Sequence, residues 1–117
     1  MDTSCESAAE GVIVLSVRGD VDAFSAPELK EQLFACLDCG DYRLIIDMTG
    51  SDFIDSTGLG VLVAGVKHAR GREIAIVSDA GSLRHIFGIV GLDKVFALYH
   101  TRQEAVRAAE GQPALPL

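Results

Sequence analysis

Two hydroxyls, Ser56 and Thr57, directly follow Asp55 in the run Asp47-Met48-Thr49-Gly50-Ser51-Asp52-Phe53-Ile54-Asp55-Ser56-Thr57-Gly58-Leu59-Gly60. Such groups can act as nucleophiles, help bind a phosphorylated cofactor, or receive a phosphoryl group themselves. A serine nucleophile needs a base, usually histidine. His68 lies twelve residues further along the same expected helix, roughly 18 Å away at 1.5 Å per residue. No pattern brings His85 or His100 to Ser56, and the Gly-x-Ser-x-Gly elbow is missing. No catalytic residue is assigned and no enzymatic activity is expected.

Cofactor binding fares no better. Gly58-Leu59-Gly60-Val61-Leu62-Val63 follows a strand and opens a helix, and Asp79 lies about twenty residues on, much as in a dinucleotide fingerprint. However, Val63 stands where Gly or Ala is wanted. The connecting loop is too long for the tight fingerprint turn, and the glycines fall inside the helix. The P-loop pattern is absent. No cofactor is expected.

Cys36-Leu37-Asp38-Cys39 has C-x-x-C spacing. A redox motif of this kind places its first cysteine at a helix N-terminus, where the dipole lowers the thiol pKa. Here the pair sits at the far end of an expected helix, so Cys36 reads as a core residue. The third cysteine, Cys5, makes an odd count, which argues against a disulfide framework. His68, His85 and His100 lie on separate elements without ligand spacing, so no metal is expected.

The third possibility is that Ser56 is modified or read by a partner. The plain alternative is that Asp55 or Ser56 simply caps the helix. Gly58, Gly60 and Gly65 weigh on this choice. Each interior helical glycine costs about 1 kcal/mol relative to alanine, so three cost on the order of 3 kcal/mol. Gly58, Val61 and Gly65 recur at spacings of three and four, on a face read as turned away from the core. Such a shallow face admits a partner's backbone; internal packing is the other reason for it.

These residues sit in a chain of 117 residues with nearly half apolar content and net charge -7. That length fits one globular domain. With no basic cluster to neutralise phosphates, direct nucleic-acid binding is not expected. No apolar run approaches the length of a membrane span. The polar, acidic start Met1–Glu6 lacks the pattern of a secretory signal, so the expected location is the cytoplasm.

The elements that must position Ser56 alternate. Residues 1–10 read as irregular, with room for a short edge strand antiparallel to the next. Val12–Arg18 is β-branched and reads as a strand ended by Gly19. Asp20-Val21-Asp22-Ala23-Phe24 reads as an exposed acidic loop. Ser25 and Glu28 have capping-box spacing before a helix to about Leu37, with Ala26, Leu29, Leu33, Cys36 and Leu37 on its core face. Arg43–Asp47 is a strand covered on both faces. The helix from Ser56 to about Arg70 places Leu59, Leu62, Val63 and Val66 toward the sheet. Glu73–Ser78 is a strand, and Ser82 opens a helix carrying Leu83, Ile86, Phe87 and Val90. Val95–Leu98 is the last strand. Thr101 and Glu104 form a second capping box for a helix to about Glu110, and residues 111–117 read as a flexible C-terminal tail. The alternation predicts an α/β fold with a mostly parallel sheet of four to five strands and about four helices.

Asp47-Met48-Thr49 closing a strand, followed by Phe53-Ile54-Asp55-Ser56-Thr57-Gly58-Leu59-Gly60-Val61-Leu62, resembles the signature of anti-sigma-factor antagonists of the STAS domain family. Gly19-Asp20-Val21-Asp22, Gly91-Leu92-Asp93 with Val95-Phe96, and Thr101 to Val106 extend the resemblance over nearly the whole chain, making residues 1–110 a STAS-type domain. The resemblance implies a partner-switching regulator. Unphosphorylated, it would bind an anti-sigma factor that is also a serine kinase, freeing sigma factor. Phosphorylation of Ser56 would end the binding, and a serine phosphatase would restore it. Thr57 is open as a minor second acceptor. Asp20, Asp22, Asp55, Ser56, Thr57, Gly58, Gly60 and Val61 are the expected partner-binding residues. A STAS scaffold or ligand-binding module without a phosphorylation switch is the alternative that the family allows.

Overall fold

The computed structural model describes residues 1–40 and 42–111; the 112–117 part of the expected tail lies outside them. The chain runs β1 (Asp2–Ala9), β2 (Val12–Arg18), α1 (Ala26–Asp38), β3 (Arg43–Gly50), α2 (Ser56–His68), β4 (Ile74–Val77), α3 (Gly81–Ile89), a 3-10 turn at Leu92–Lys94, β5 (Ala97–Tyr99) and α4 (Arg102–Gly111). The five strands lie in sequence order across one sheet. β1 and β2 are antiparallel, and every later pairing is parallel.

Strand alternation sorts the core into two layers. Ile13, Leu15, Val17, Leu44, Ile46, Met48, Ile74 and Ile76 face α1, α2 and α3. Val12, Val14, Ile45, Ala75 and Val77 face α4 through Ala105. A strand covered on both faces must be apolar at successive positions, which explains the unbroken apolar run in β2 and the centre of β3.

β1 departs from the expectation for residues 1–10: it is a full strand of eight residues. Its sequence, Asp-Thr-Ser-Cys-Glu-Ser-Ala-Ala, has little intrinsic strand preference, so tertiary pairing decides. Asp2 to Ser7 stand opposite Arg18 to Ile13 in register. Neighbouring strand residues point to opposite faces. Cys5 meets Cys36 of α1, while Glu6 meets Arg102 of α4.

Three helix starts also differ from expectation. α1 is not opened by a Ser25–Glu28 box, because the Ser25 side chain makes no cap hydrogen bond. Asp22 does that work, accepting from the amides of Phe24 and Ser25, both at 3.0 Å. α3 begins at Gly81 with no side-chain cap; its Val90 is exposed and only Leu83 and Phe87 are fully buried. At α4 the box is half formed. The Thr101 hydroxyl accepts from the Glu104 amide at 3.2 Å and donates to the Glu104 carboxylate at 3.3 Å.

Candidate functional site

The site lies at the carboxyl end of β2 and β3, where two loops are laced together. The Gly19 amide donates to the Gly50 carbonyl at 3.0 Å. The buried Ser51 hydroxyl returns a hydrogen bond to the Gly19 carbonyl at 2.7 Å. Further along, the Val21 amide donates to Phe53 and the Asp55 amide to Val21, each at 3.0 Å. Val21 and Ile54 thereby form a parallel bridge, and both are buried. This lacing holds the Asp20–Asp22 segment beside the residues that lead into Ser56. The acidic loop is therefore anchored through Val21, though Asp20 itself is exposed.

Asp55 is the N-cap of α2. Its backbone is extended, and its carboxylate accepts from the Gly58 amide at 3.0 Å. Ser56 is the first helical residue and is exposed, as is Thr57 after it. Among the described residues the Ser56 hydroxyl makes no hydrogen bond. The capping task falls to one residue and leaves the next hydroxyl facing solvent over the positive end of the helix dipole.

α2 turns inward a stripe expected to face outward. Gly58, Val61, Leu62 and Gly65 are its buried residues, and Ala69 continues the stripe just beyond its end. A side chain at Gly58 would put its Cβ 2.6 Å from Ile54 and 2.7 Å from Val21; one at Gly65 would come 2.6 Å from Leu33 of α1. These two glycines thus serve close internal packing, and Gly58, Val61 and Gly65 do not form an outward face. Leu59 and Val66 flank the core, whereas Val63 turns outward at 36% exposure. Apolar bulk is a misleading guide here because the helix approaches its neighbours through its smallest residues. Gly60 differs from the other two: it is exposed, and a Cβ there would meet nothing within 4 Å. The outward stripe runs Ser56, Gly60, Val63, Lys67.

Two carboxylates near this end are held ionised for structural reasons. The Ser25 amide is the main cause that lowers the Asp22 pKa, aided by the Ser25 hydroxyl and the Phe24 amide and opposed by desolvation. For Asp47, burial favours the neutral form, but the Thr49 amide and hydroxyl and the Arg102 guanidinium outweigh it and lower the pKa. Arg102 reaches Asp47 at 2.9 Å, Glu6 at 2.6 Å and the Ser16 hydroxyl at 2.6 Å, tying α4 to the first three strands. Asp47 therefore serves the α4 side of the sheet and not the Ser56 rim.

No group of three or more His, Cys, Asp or Glu among the described residues is arranged to hold a metal ion. His68 lies at the opposite end of α2 from Ser56, stacked on Phe34 with ring centroids 4.1 Å apart and 2.7 Å from Asp38. No helix among the described residues is long and apolar enough to cross a membrane.

The family model for the STAS domain matches residues 7–105, spanning all the elements that build this site. The chain belongs to the STAS domain family. Its curated relatives include the anti-sigma-F factor antagonist RsfB of Mycobacterium tuberculosis. That protein is 30% identical over 102 residues, covering 86% of this chain and 84% of the relative. The anti-sigma-B factor antagonist of Listeria monocytogenes is 34% identical over 94 residues, covering 79% of this chain and 82% of the relative. Among solved structures, an anti-sigma factor antagonist from Mycobacterium paratuberculosis superposes with a TM-score of 0.86 at 31% identity, covering 93% of each chain.

Three apolar side chains near the Ser56 rim of this STAS domain lie outside the expected partner-binding set. Phe24 is 96% exposed and follows Asp22 in the laced loop. Phe53 is 48% exposed and precedes the Asp55 cap, and Val63 stands two turns along α2 from Ser56. A phenylalanine closing a short acidic loop is the signal that marks Phe24. Only the helix phase reveals Val63.

Proposed function

We propose that this STAS domain is an anti-sigma-factor antagonist whose binding to an anti-sigma-factor serine kinase is switched off by phosphorylation of Ser56. The observation that carries the reading is the division of labour at the start of α2. Asp55 caps the helix, and the exposed Ser56 hydroxyl is left without a partner among the described residues. The names of the curated relatives support the antagonist class.

In this reading the kinase is also the partner released from sigma factor, and a serine phosphatase resets the domain. The contact surface comprises Asp20, Asp55, Ser56, Thr57 and Gly60, extended by Phe24, Phe53 and Val63. Asp22 shapes the loop from within, and the buried Gly58 and Val61 support the surface from beneath. Exposed aromatic side chains next to polar groups are what a protein interface favours, and Gly60 allows close backbone approach.

A phosphate on Ser56 adds about -1.5 to -2 charges at neutral pH. The helix N-terminus accommodates it in the free protein, because the first-turn amides and the dipole favour an anion there. Binding is where it is penalised. Asp20, Asp52 and Asp55 already make the rim acidic, so a partner must bury additional negative charge. A mispaired buried charge costs about 2–5 kcal/mol, which is roughly 30- to several-thousand-fold in affinity. The switch then requires no change of fold.

The test is to incubate the full chain with candidate anti-sigma-factor serine kinases and ATP and to locate phosphate by mass spectrometry. Phosphate on Ser56, lost in the Ser56→Ala variant, is the expected result. Retained kinase binding without any phosphate would instead favour a scaffold role, and phosphate confined to other hydroxyls would overturn the assignment of Ser56.

A further inference from the structure

We infer that Cys5 and Cys36 are an oxidisable pair, and that peroxide converts them into a disulfide fastening the edge strand β1 to helix α1. The Cys36 thiol donates to the Cys5 sulfur at 3.1 Å. A disulfide needs about 2.05 Å between sulfurs, so the pair lies about one ångström from bonding distance. The two residues are 31 apart in sequence, and their positions are fixed by separate elements. Cys5 stands opposite Leu15 in the β1–β2 ladder and faces α1. Cys36 lies in the buried stripe of α1.

The two thiols have different exposures and so different roles. Cys5 is exposed and meets the oxidant. Cys36 is buried, and burial together with the adjoining Cys5 sulfur pushes its pKa up to about 12. It is thus a protonated thiol, protected from direct oxidation but in contact with whatever forms on Cys5. The neighbouring Cys39 is directed elsewhere, with its sulfur 3.1 Å from the Cys36 carbonyl oxygen.

The chemistry balances with hydrogen peroxide as the oxidant. Cys5 releases its proton and the thiolate attacks one peroxide oxygen; the O–O bond breaks and the departing hydroxide takes up the released proton as water, leaving a sulfenic acid. The Cys36 sulfur then attacks the Cys5 sulfur. The S–S bond forms, the S–O bond breaks, and the leaving hydroxide takes the Cys36 proton as a second water. Two thiols and one peroxide give one disulfide and two waters, with two electrons passing from sulfur to oxygen. Because the thiolate is the attacking species, the raised Cys36 pKa slows the second step relative to an ordinary thiol.

The bond would close β1 onto the layer that α1 and α2 form. On its other face β1 is already held through Glu6 and Arg102. Cys36 lies ten residues beyond the first residue of α1, roughly 15 Å along the helix, so the fastening leaves the Asp22–Phe24 rim open. This inference is independent of the Ser56 reading.

The test treats the reduced full chain with hydrogen peroxide and follows intact mass, then maps tryptic peptides without reduction. The Cys39→Ser variant is decisive because it retains only Cys5 and Cys36. It should lose two hydrogen atoms in mass and join peptide 1–18 to peptide 31–43, and its denaturation midpoint should rise until reductant is added. The Cys5→Ser variant should show no such loss. The inference is overturned if the Cys39→Ser variant gains oxygen atoms without the crosslink, dimerises through Cys5, or stays unchanged. It is equally overturned if Cys5→Ser forms an internal disulfide as readily as the unaltered chain.

Discussion

Asp55 and Ser56 divide two tasks that either residue type could perform. The sequence leaves open which of them caps α2, because both types cap well; the 3.0 Å hydrogen bond from the Gly58 amide to Asp55 settles it. Asp22 shows the opposite limit. Its type suggests a solvated acid ready for a partner, and its Oδ1 also accepts from the amides of Phe24 and Ser25, a local role that the residue type alone does not announce. Asp47 was legible as a strand residue, though β3 runs on to Gly50; its partner Arg102 is 55 residues away and no local pattern announces it. The pair has a pH signature. Asp47 has its pKa lowered from 3.8 in the folded protein, so its contribution is present above that value and is lost as pH falls through the lower folded value. Replacing Arg102 by alanine should destabilise the domain at neutral pH by about 1–3 kcal/mol, toward the lower end because the Arg102 side chain is 38% exposed. The difference from the unaltered protein should shrink as pH falls below 3.8 and through the lower folded value of Asp47. Denaturant unfolding at neutral pH and near pH 3 measures both effects.

At the scale of elements, α2 decides what faces solvent on the proposed binding surface, and its phase is the feature least legible beforehand. Periodicity located the helix because Leu59, Leu62 and Val66 recur at helical spacing. It found one flank of the buried side, with Leu62 buried and Leu59 and Val66 packed against the core, but missed the other, since the close contacts use Gly58 and Gly65 against Ile54, Val21 and Leu33. Gly60 and Gly65 should therefore respond differently to alanine. Gly65→Ala gains about 1 kcal/mol of helix propensity but forces a methyl against the buried Leu33, and overpacking costs about 1–3 kcal/mol. The expected net result is destabilisation of up to about 2 kcal/mol. Gly60→Ala meets no neighbour and should stabilise the free domain by up to about 1 kcal/mol while weakening the kinase complex. Thermal or denaturant unfolding, paired with a binding titration, distinguishes the two sites. If Gly60→Ala left binding intact, close approach at that position would be wrong.

For the molecule as a whole, the alternation of strands and helices was enough to read an α/β fold with a mostly parallel sheet. The β1 strand was less legible because its residues have weak strand preference, and its place depends on β2, Cys36 and Arg102. The sheet's two layers leave the carboxyl end of β2 and β3 as the place where the Asp20–Phe24 loop, the Phe53–Asp55 segment and the start of α2 converge. The loop lacing that makes this surface runs through backbone groups, which side-chain patterns do not encode. In the proposed switch, phosphorylation at Ser56 would act on a preformed surface, so the folded state and its stability should change little while association changes greatly. The most direct measurement is a calorimetric titration of one anti-sigma-factor serine kinase with the unmodified chain and with the chain phosphorylated on Ser56. A loss of roughly 30-fold or more in affinity on phosphorylation is expected, with unchanged circular dichroism. Equal affinity of the two forms would contradict the account.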